Sequence, residues 1–268
     1  MVKIIFLGTA GTSSVLTKHN RLAGGMIIHS EEAQLHINPG PGIVTGARNS
    51  GVDLRNSICF ITTDSNILHA DDLNLAVDII TFGGIERRGL LVSSGSVING
   101  SDDEHPLLSM RHKNLLEKVV VLEEGNRIGL GSIEIRTIKV DAEDKTAKGY
   151  KFIMPRFTLA YPGNTALSED LILQLMDSDL LVLHMPKLEA AEGEKVLDVA
   201  AVEKILTAVK PKLVILTHFG NDIVREGPID VAREIQRKTG IQCIAAKDGL
   251  VLSPDGFEKR SPVRGYTV

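Results

Sequence analysis

Cysteine is nearly absent from this chain: there are two in 268 residues, Cys59 and Cys243, each inside an apolar run ("SICFITT" and "IQCIAAKDG"). So few thiols exclude a disulfide framework and fit reduced, packed side chains. Long apolar runs are missing too. The opening "MVKIIFLGT" is too short for a signal peptide and leads into glycines rather than a cleavage site, and no later segment is long enough to cross a bilayer. A soluble, cytoplasmic protein without membrane association is the expectation. Nor does one sign of charge dominate: 30 basic and 34 acidic residues, interspersed, leave a formal net charge of −4. No basic face results, so a nucleic-acid partner held by bulk electrostatics is not expected. Low-complexity segments and repeats of solenoid period are also lacking.

What is present is apolar residue in quantity, 43% of the chain, enough for a substantial core in one domain spanning residues 1–268. In the first third, short apolar runs alternate with turn residues: "KIIFLGT", "GGMIIHS", "AQLHINPGPG" and "SICFITT" read as strands. From Ala70 to Thr81 the apolar spacing predicts a helix of about three turns, with Asp71 and Asp72 at its positive end. The middle reads as β: "LLVSSGSV", "KVVVLEEG", "RIGLGSIEIRTIKV" and "YKFIMPRFTLAYPG". Beyond Ser168 the pattern alternates, with helices at "SEDLILQLM", "DVAAVEKILTAV" and "IDVAREIQRKTG". Between them lie strands "LLVLHM" and "KLVILTH", and "IQCIAAKDGLVLS" supplies a last strand. Ser168 and Asp198 suit N-caps.

Strand-rich halves that each end in helices predict an α/β protein with two sheets face to face and helices outside. A doubly wound nucleotide-binding fold is the competitor, suggested by "IIFLGTAGTSS". It is set aside because no amphipathic helix is read after those glycines and no acidic residue ends a second strand at the right distance.

In order and spacing, "FLGTAGTSS", "RLAGGMII", "INPGPGIV", "FITTDSNILHADDL", "LAYPGNT", "KPKLVILTHFG" and "AAKDGLVL" resemble the metallo-β-lactamase fold superfamily. Its hydrolase branch related to transfer-RNA-processing endonucleases is the nearest in pattern. The resemblance runs from Phe6 to Leu252 and implies a four-layer αββα sandwich of two mixed sheets. It also implies a site. In that superfamily a His-X-His-X-Asp-His loop follows a strand, and later loops add His, Asp and His to hold two zinc ions. Here the loop becomes Asp64, Ser65, Asn66, Ile67, Leu68 and His69, so only its last ligand remains. Ala142 or Glu143 stands at the next ligand position, Asn164 at the bridging aspartate, and Asn38 at the aspartate before Pro-Gly; the late histidine is kept as His218.

The replacements share one physical account. Clustered buried carboxylates are tolerable beside two zinc ions and costly without them. Asn38, Asn164 and Leu68 remove that charge, and the amides keep the hydrogen bonds. The first expectation is therefore a metal-free pocket in which Asp64, Asn66, His69, Asn164 and His218 converge at one edge of the sheets. That describes a pseudoenzyme, a binding or regulatory protein without a cofactor, whose partner is an unidentified protein or small molecule, with a homo-oligomer among the expected assemblies. The alternative is a hydrolase for a phosphoester or ester with a rebuilt site for one zinc or other divalent ion. Its metal ligands would be His69 and His218, helped by Asp64 and by His184 at the end of "LLVLH". His184 alone reads more readily as a packed histidine. His105, His112, the Arg87–Arg88 pair and Lys145, Lys148 and Lys151 read as solvated surface.

Overall fold

A computed structural model describes residues 1–19, 21–101 and 103–254. The last fourteen positions of the expected 1–268 domain lie outside the described residues. The strands are β1 (Lys3–Phe6), β2 (Met26–His29), β3 (Gln34–Ile37), β4 (Ser57–Ile61), β5 (Leu90–Ser93), β6 (Lys118–Val121), β7 (Arg127–Leu130), β8 (Ile133–Lys139), β9 (Lys148–Ile153), β10 (Thr158–Tyr161), β11 (Leu180–His184), β12 (Leu213–Thr217), β13 (Cys243–Ala245) and β14 (Val251–Leu252). They form two seven-stranded mixed sheets, ordered β14-β1-β2-β3-β4-β5-β6 and β13-β12-β11-β10-β9-β8-β7. In the first, β1, β2 and β3 pair antiparallel and β3 to β6 run parallel. The second repeats the plan, with β7 to β10 antiparallel and β10 to β13 parallel.

The helices are α1 (Ser13–Lys18), α2 (Ile43–Ser50), α3 (Ile67–Ala70), α4 (Leu73–Ile80), α5 (Gly95–Asn99), α6 (Met110–Leu115), α7 (Glu169–Leu175), α8 (Val199–Val209), α9 (Asn221–Glu226) and α10 (Pro228–Thr239). None of those described is long and apolar enough to cross a membrane. Strand alternation assigns the layers. Ile4, Phe6, Leu35, Ile37 and Ile61 of the first sheet meet Tyr150, Phe152, Leu159, Leu180 and Val182 of the second. The intervening residues Ile5, Ile27, Phe60 and Leu91 turn outward onto α2 and α4, through Ile43, Ala47, Leu73 and Val77. Leu181, Leu183, Val214 and Leu216 pack against α7, α8 and α10. Because both faces of the central strands are covered, they read as continuous apolar runs. The expected four-layer αββα arrangement is present, and Cys59 and Cys243 are buried free thiols.

Five local expectations are corrected. The strand read over "LLVSSGSV" stops at Ser93, and Gly95 to Val97 belong to α5. The helix read from Ala70 to Thr81 is two helices, α3 and α4, beginning earlier at Ile67 because the Asn66 side chain caps Leu68 N. Asp72 does not serve the start of its own helix; its carboxylate accepts from Gly42 N (2.8 Å) and Ile43 N (3.2 Å) at the start of α2. A short helix, α1, does follow the glycines of "GTAGTSS", capped by Thr12, although it buries Val15 alone. The last strand is two, β13 and β14, one in each sheet. Ser168 and Asp198 cap α7 and α8 as read.

Candidate metal centre

The loop after β4 turns Asp64 inward and runs into α3, which presents His69. Five residues apart, the two are joined: His69 Nδ1–H donates to Asp64 Oδ1 at 2.6 Å. Asp64 also accepts from Asn66 N (3.0 Å) and Thr63 Oγ1 (3.1 Å). Burial alone would raise its pKa, but the facing His69 and these donors outweigh it and hold the carboxyl below its ordinary value. With Nδ1 committed to Asp64, the Nε2 of His69 is buried and has no hydrogen-bond partner among the described residues.

His184 ends β11 and His218 follows β12. The parallel register pairs His184 with Thr217, which sets the two imidazoles side by side. Their rings stack at 4.3 Å, and the His69 ring lies 4.7 Å from His218 and 5.1 Å from His184. One potential ligand nitrogen from each ring falls within 4.8 Å of the others. Three imidazoles around one zinc at about 2.0–2.1 Å would hold their ring centres roughly 5 Å apart, so the cluster is already close to that spacing. All are deeply buried, at 2% (His69), 3% (His184) and 7% (His218) relative exposure. Desolvation first, then the neighbouring rings, push the pKa of His184 well below 6.5; desolvation and His69 do the same for His218 against the opposing charge of Asp64. Both are neutral imidazoles at pH 7, the form that a metal takes.

Backbone strain sits at the same place. His218 has φ 60° and Asn38 φ 53°, both in the left-handed region. His218 is held there by Phe219 N, which donates to Thr9 O, and by Gly11 N, which donates to Phe219 O. A Cβ on Gly11 would stand 2.1 Å from the His218 carbonyl oxygen. The glycine of "GTAGT" is thus a spacer for His218, not part of a phosphate loop.

Of the residues singled out from sequence, Asp64, His69, His184 and His218 come together. Asn164 joins them through its Oδ1, 3.0 Å from His184 Nδ1. Asn66 caps α3 and supports Asp64 through its backbone. Asn38 Oδ1 accepts from Thr63 N (2.9 Å), and its Nδ2 donates to Thr63 Oγ1 (3.0 Å) and Tyr161 Oη (3.2 Å). At the next expected ligand position Ala142 is buried and Glu143 exposed. The acid of that loop that turns inward is Asp144, which accepts from Ser65 N and Ser96 Oγ and so ties the His69-bearing loop to α5. Sequence reasoning missed Asp144, and also Tyr161, whose hydroxyl lies 2.7 Å from His184 Nε2. A tyrosine just before a Pro-Gly turn was the available signal, since a buried phenol needs a partner. His105 is exposed, whereas His112 is half-buried and bonds to Ser109 Oγ. The three histidines, Asn38 and Tyr161 enclose a cavity of ≈ 20 Å³, room for about one water-sized sphere.

No family model matches the chain. It is 27% identical over 252 residues to the uncharacterized protein MJ1374 of Methanocaldococcus jannaschii, covering 93% of this chain and 94% of that one. Among solved structures it is similar to the metallo-β-lactamase fold protein YhfI from Bacillus subtilis, with a TM-score of 0.78 at 14% identity over 94% of this chain and 98% of that one. Zinc-bound PqqB from Methylobacterium extorquens superposes with a TM-score of 0.72 at 16% identity, over 94% of this chain and 100% of its own. A diphosphatase of the PhnP family gives a TM-score of 0.68 at 17% identity, over 94% and 98%. By this likeness and its two seven-stranded mixed sheets, the chain has the metallo-β-lactamase fold.

Proposed function

We propose that this chain is a metal-dependent hydrolase with a rebuilt centre for a single divalent ion, zinc foremost, held by His69, His184 and His218. One observation carries the reading: the Nε2 of His69 is buried and has no partner among the described residues, in a cluster whose three ligand nitrogens lie within 4.8 Å of one another. An orphaned buried polar nitrogen costs about 1–3 kcal/mol, and a cation is the partner that three converging imidazoles fit. Bound there, a zinc ion would supply Lewis acidity and lower the pKa of a water it binds to about 7. The chain's own contribution is positioning. Asp64 fixes the His69 tautomer with Nε2 free, as carboxylates do behind metal-binding histidines. Asn164 holds His184 from its Nδ1 side. The cavity has room for about a water or an ion. A phosphoester or ester is the substrate class, and the likeness to a diphosphatase supports the phosphoester. The two free buried thiols support a cytoplasmic setting.

A second reading is favoured by one feature: both nitrogens of His184 are engaged, by Asn164 and by Tyr161. The pocket would then be a closed, metal-free polar network in a pseudoenzyme that binds or regulates a protein or small molecule. Elemental analysis of protein purified without chelator, with a bis(p-nitrophenyl) phosphate assay, decides between them. About one zinc or manganese per chain, and metal-dependent turnover that disappears in His69→Ala, are expected on the first reading. Well under one metal per chain after metal supplementation, with no turnover, would establish the second.

A further inference from the structure

We propose that Tyr161 is a latch on the third ligand position: its hydroxyl occupies the one lone pair of His184 that a metal ion needs, so loading the site requires that hydrogen bond to be exchanged. The inference rests on the single-metal reading and adds to it a residue that sets the affinity.

The hydrogen-bond network fixes which proton is where. Asn38 Oδ1 accepts from the backbone N–H of Thr63, so its amide nitrogen is the end that faces Tyr161 and donates to the phenolic oxygen. With that oxygen already accepting, the phenolic O–H has His184 Nε2, at 2.7 Å, as its acceptor among the described residues. Nε2 therefore carries a lone pair, and the ring proton lies on Nδ1, where Asn164 Oδ1 accepts it at 3.0 Å.

The cavity is lined by Tyr161 together with Asn38, His69, His184 and His218, and Asn164 is not in its wall. The nitrogen of His184 that faces the space between the rings is then Nε2, the one Tyr161 holds. His69 Nε2 is bare, whereas His184 Nε2 is taken. An incoming cation finds one ligand ready and another latched. Exchange needs no proton transfer: the O–H···N bond breaks, the nitrogen lone pair turns to the metal, and the phenol keeps its bond from Asn38.

The test is zinc affinity of apo protein, measured by competition with a chromophoric chelator, for the wild type and for Tyr161→Phe. Phenylalanine preserves the ring, and removing a hydrogen bond present only in the metal-free form is expected to tighten binding about three- to tenfold. In the wild type, addition of zinc should also give a near-ultraviolet tyrosine difference spectrum that saturates at one metal per chain and is missing from the variant. That measurement decides the matter if the variant does not fold. Zinc binding by the variant alone would support the latch and show the wild-type site to be closed by it. Wild-type binding with unchanged or weaker affinity in a folded variant, or with no tyrosine signal, overturns the latch and leaves the single-metal reading standing. Absence of zinc from both proteins overturns both.

Discussion

Asp64 Oδ1 and His69 Nδ1 lie 2.6 Å apart in a place where both side chains are almost wholly withdrawn from solvent. The pairing makes the loop after β4 a device for aiming one imidazole nitrogen. Replacing Asp64 by Asn keeps the size but gives up the charge and the charge-assisted bond. Zinc affinity should fall by about 10- to 100-fold, the usual effect of losing a carboxylate behind a metal-bound histidine. Chelator competition measures it; affinity equal to the wild type's would mean that Asp64 only braces the loop.

Acid sensitivity should show two windows. His36 is fully buried with Nε2–H donating to Gly24 O at 2.8 Å. Desolvation lowers its pKa to about 4, with the Gly24 carbonyl opposing. The unfolded chain takes up a proton below about 6.5 that the folded chain refuses, so stability falls as pH drops from there to about 4, by up to ~1.4 kcal/mol per pH unit. His184 and His218 act in the same direction. Asp64, whose folded pKa is depressed, contributes stability above the unfolded value of about 3.9 and loses it at still lower pH. Urea midpoints between pH 7 and 4 should fall, and His36→Gln should reduce the slope by about one proton. A slope unchanged in that variant would mean that His36 is not the titrating group.

How much of this was legible in the sequence follows from the range of the interactions involved. The strands could be read because both faces of β4, β11 and β12 are covered, which leaves uninterrupted apolar runs. Helix α2, "IVTGARNS", could not, since a mid-helix Gly46 and three β-branched residues, Ile43, Val44 and Thr45, argue against it locally. The glycine is there because a Cβ would stand 2.6 Å from Leu7 O, a tertiary constraint with no local signature. In the site, Asp64, His69 and His218 were visible through the resemblance. His184 was legible as the histidine ending the strand "LLVLH", on the side of the fold where strand ends face the pocket. Its convergence with His218 comes from the parallel register of β11 on β12.

Gly40, in "NPGPG", holds the approach of α3 to the rest of the site. A Cβ there would lie 1.8 Å from Leu68 O and 2.5 Å from Ala23 O, both backbone atoms that cannot rotate away. Gly40→Ala should therefore push α3 outward and carry His69 with it. Destabilisation of at least about 1–3 kcal/mol is expected in urea unfolding, together with weaker zinc binding. A variant with wild-type stability would show that α3 moves freely.

Asn38 tests the account of the missing acids. Its Nδ2 donates to Thr63 Oγ1 and Tyr161 Oη, and a carboxylate at this position could do neither at pH 7. Asn38→Asp would also set a second buried negative charge near Asp64, with Thr63 Oγ1 between the two. Without metal the variant should be destabilised by about 2–4 kcal/mol at pH 7. The sign of its pH dependence is set by burial and by Asp64, which both raise the pKa of the introduced acid above that of the unfolded chain. The folded form then holds its proton more tightly, so the penalty relative to the wild type should shrink as pH falls through that raised pKa. Saturating zinc should reduce the penalty as well, because a cation in the three-histidine cluster offsets an added carboxylate. Urea unfolding of both proteins at pH 7 and pH 5, with and without zinc, gives all four comparisons. A penalty that neither acid nor zinc diminishes would assign it to the two lost hydrogen bonds alone and remove charge from the explanation of why an amide stands here.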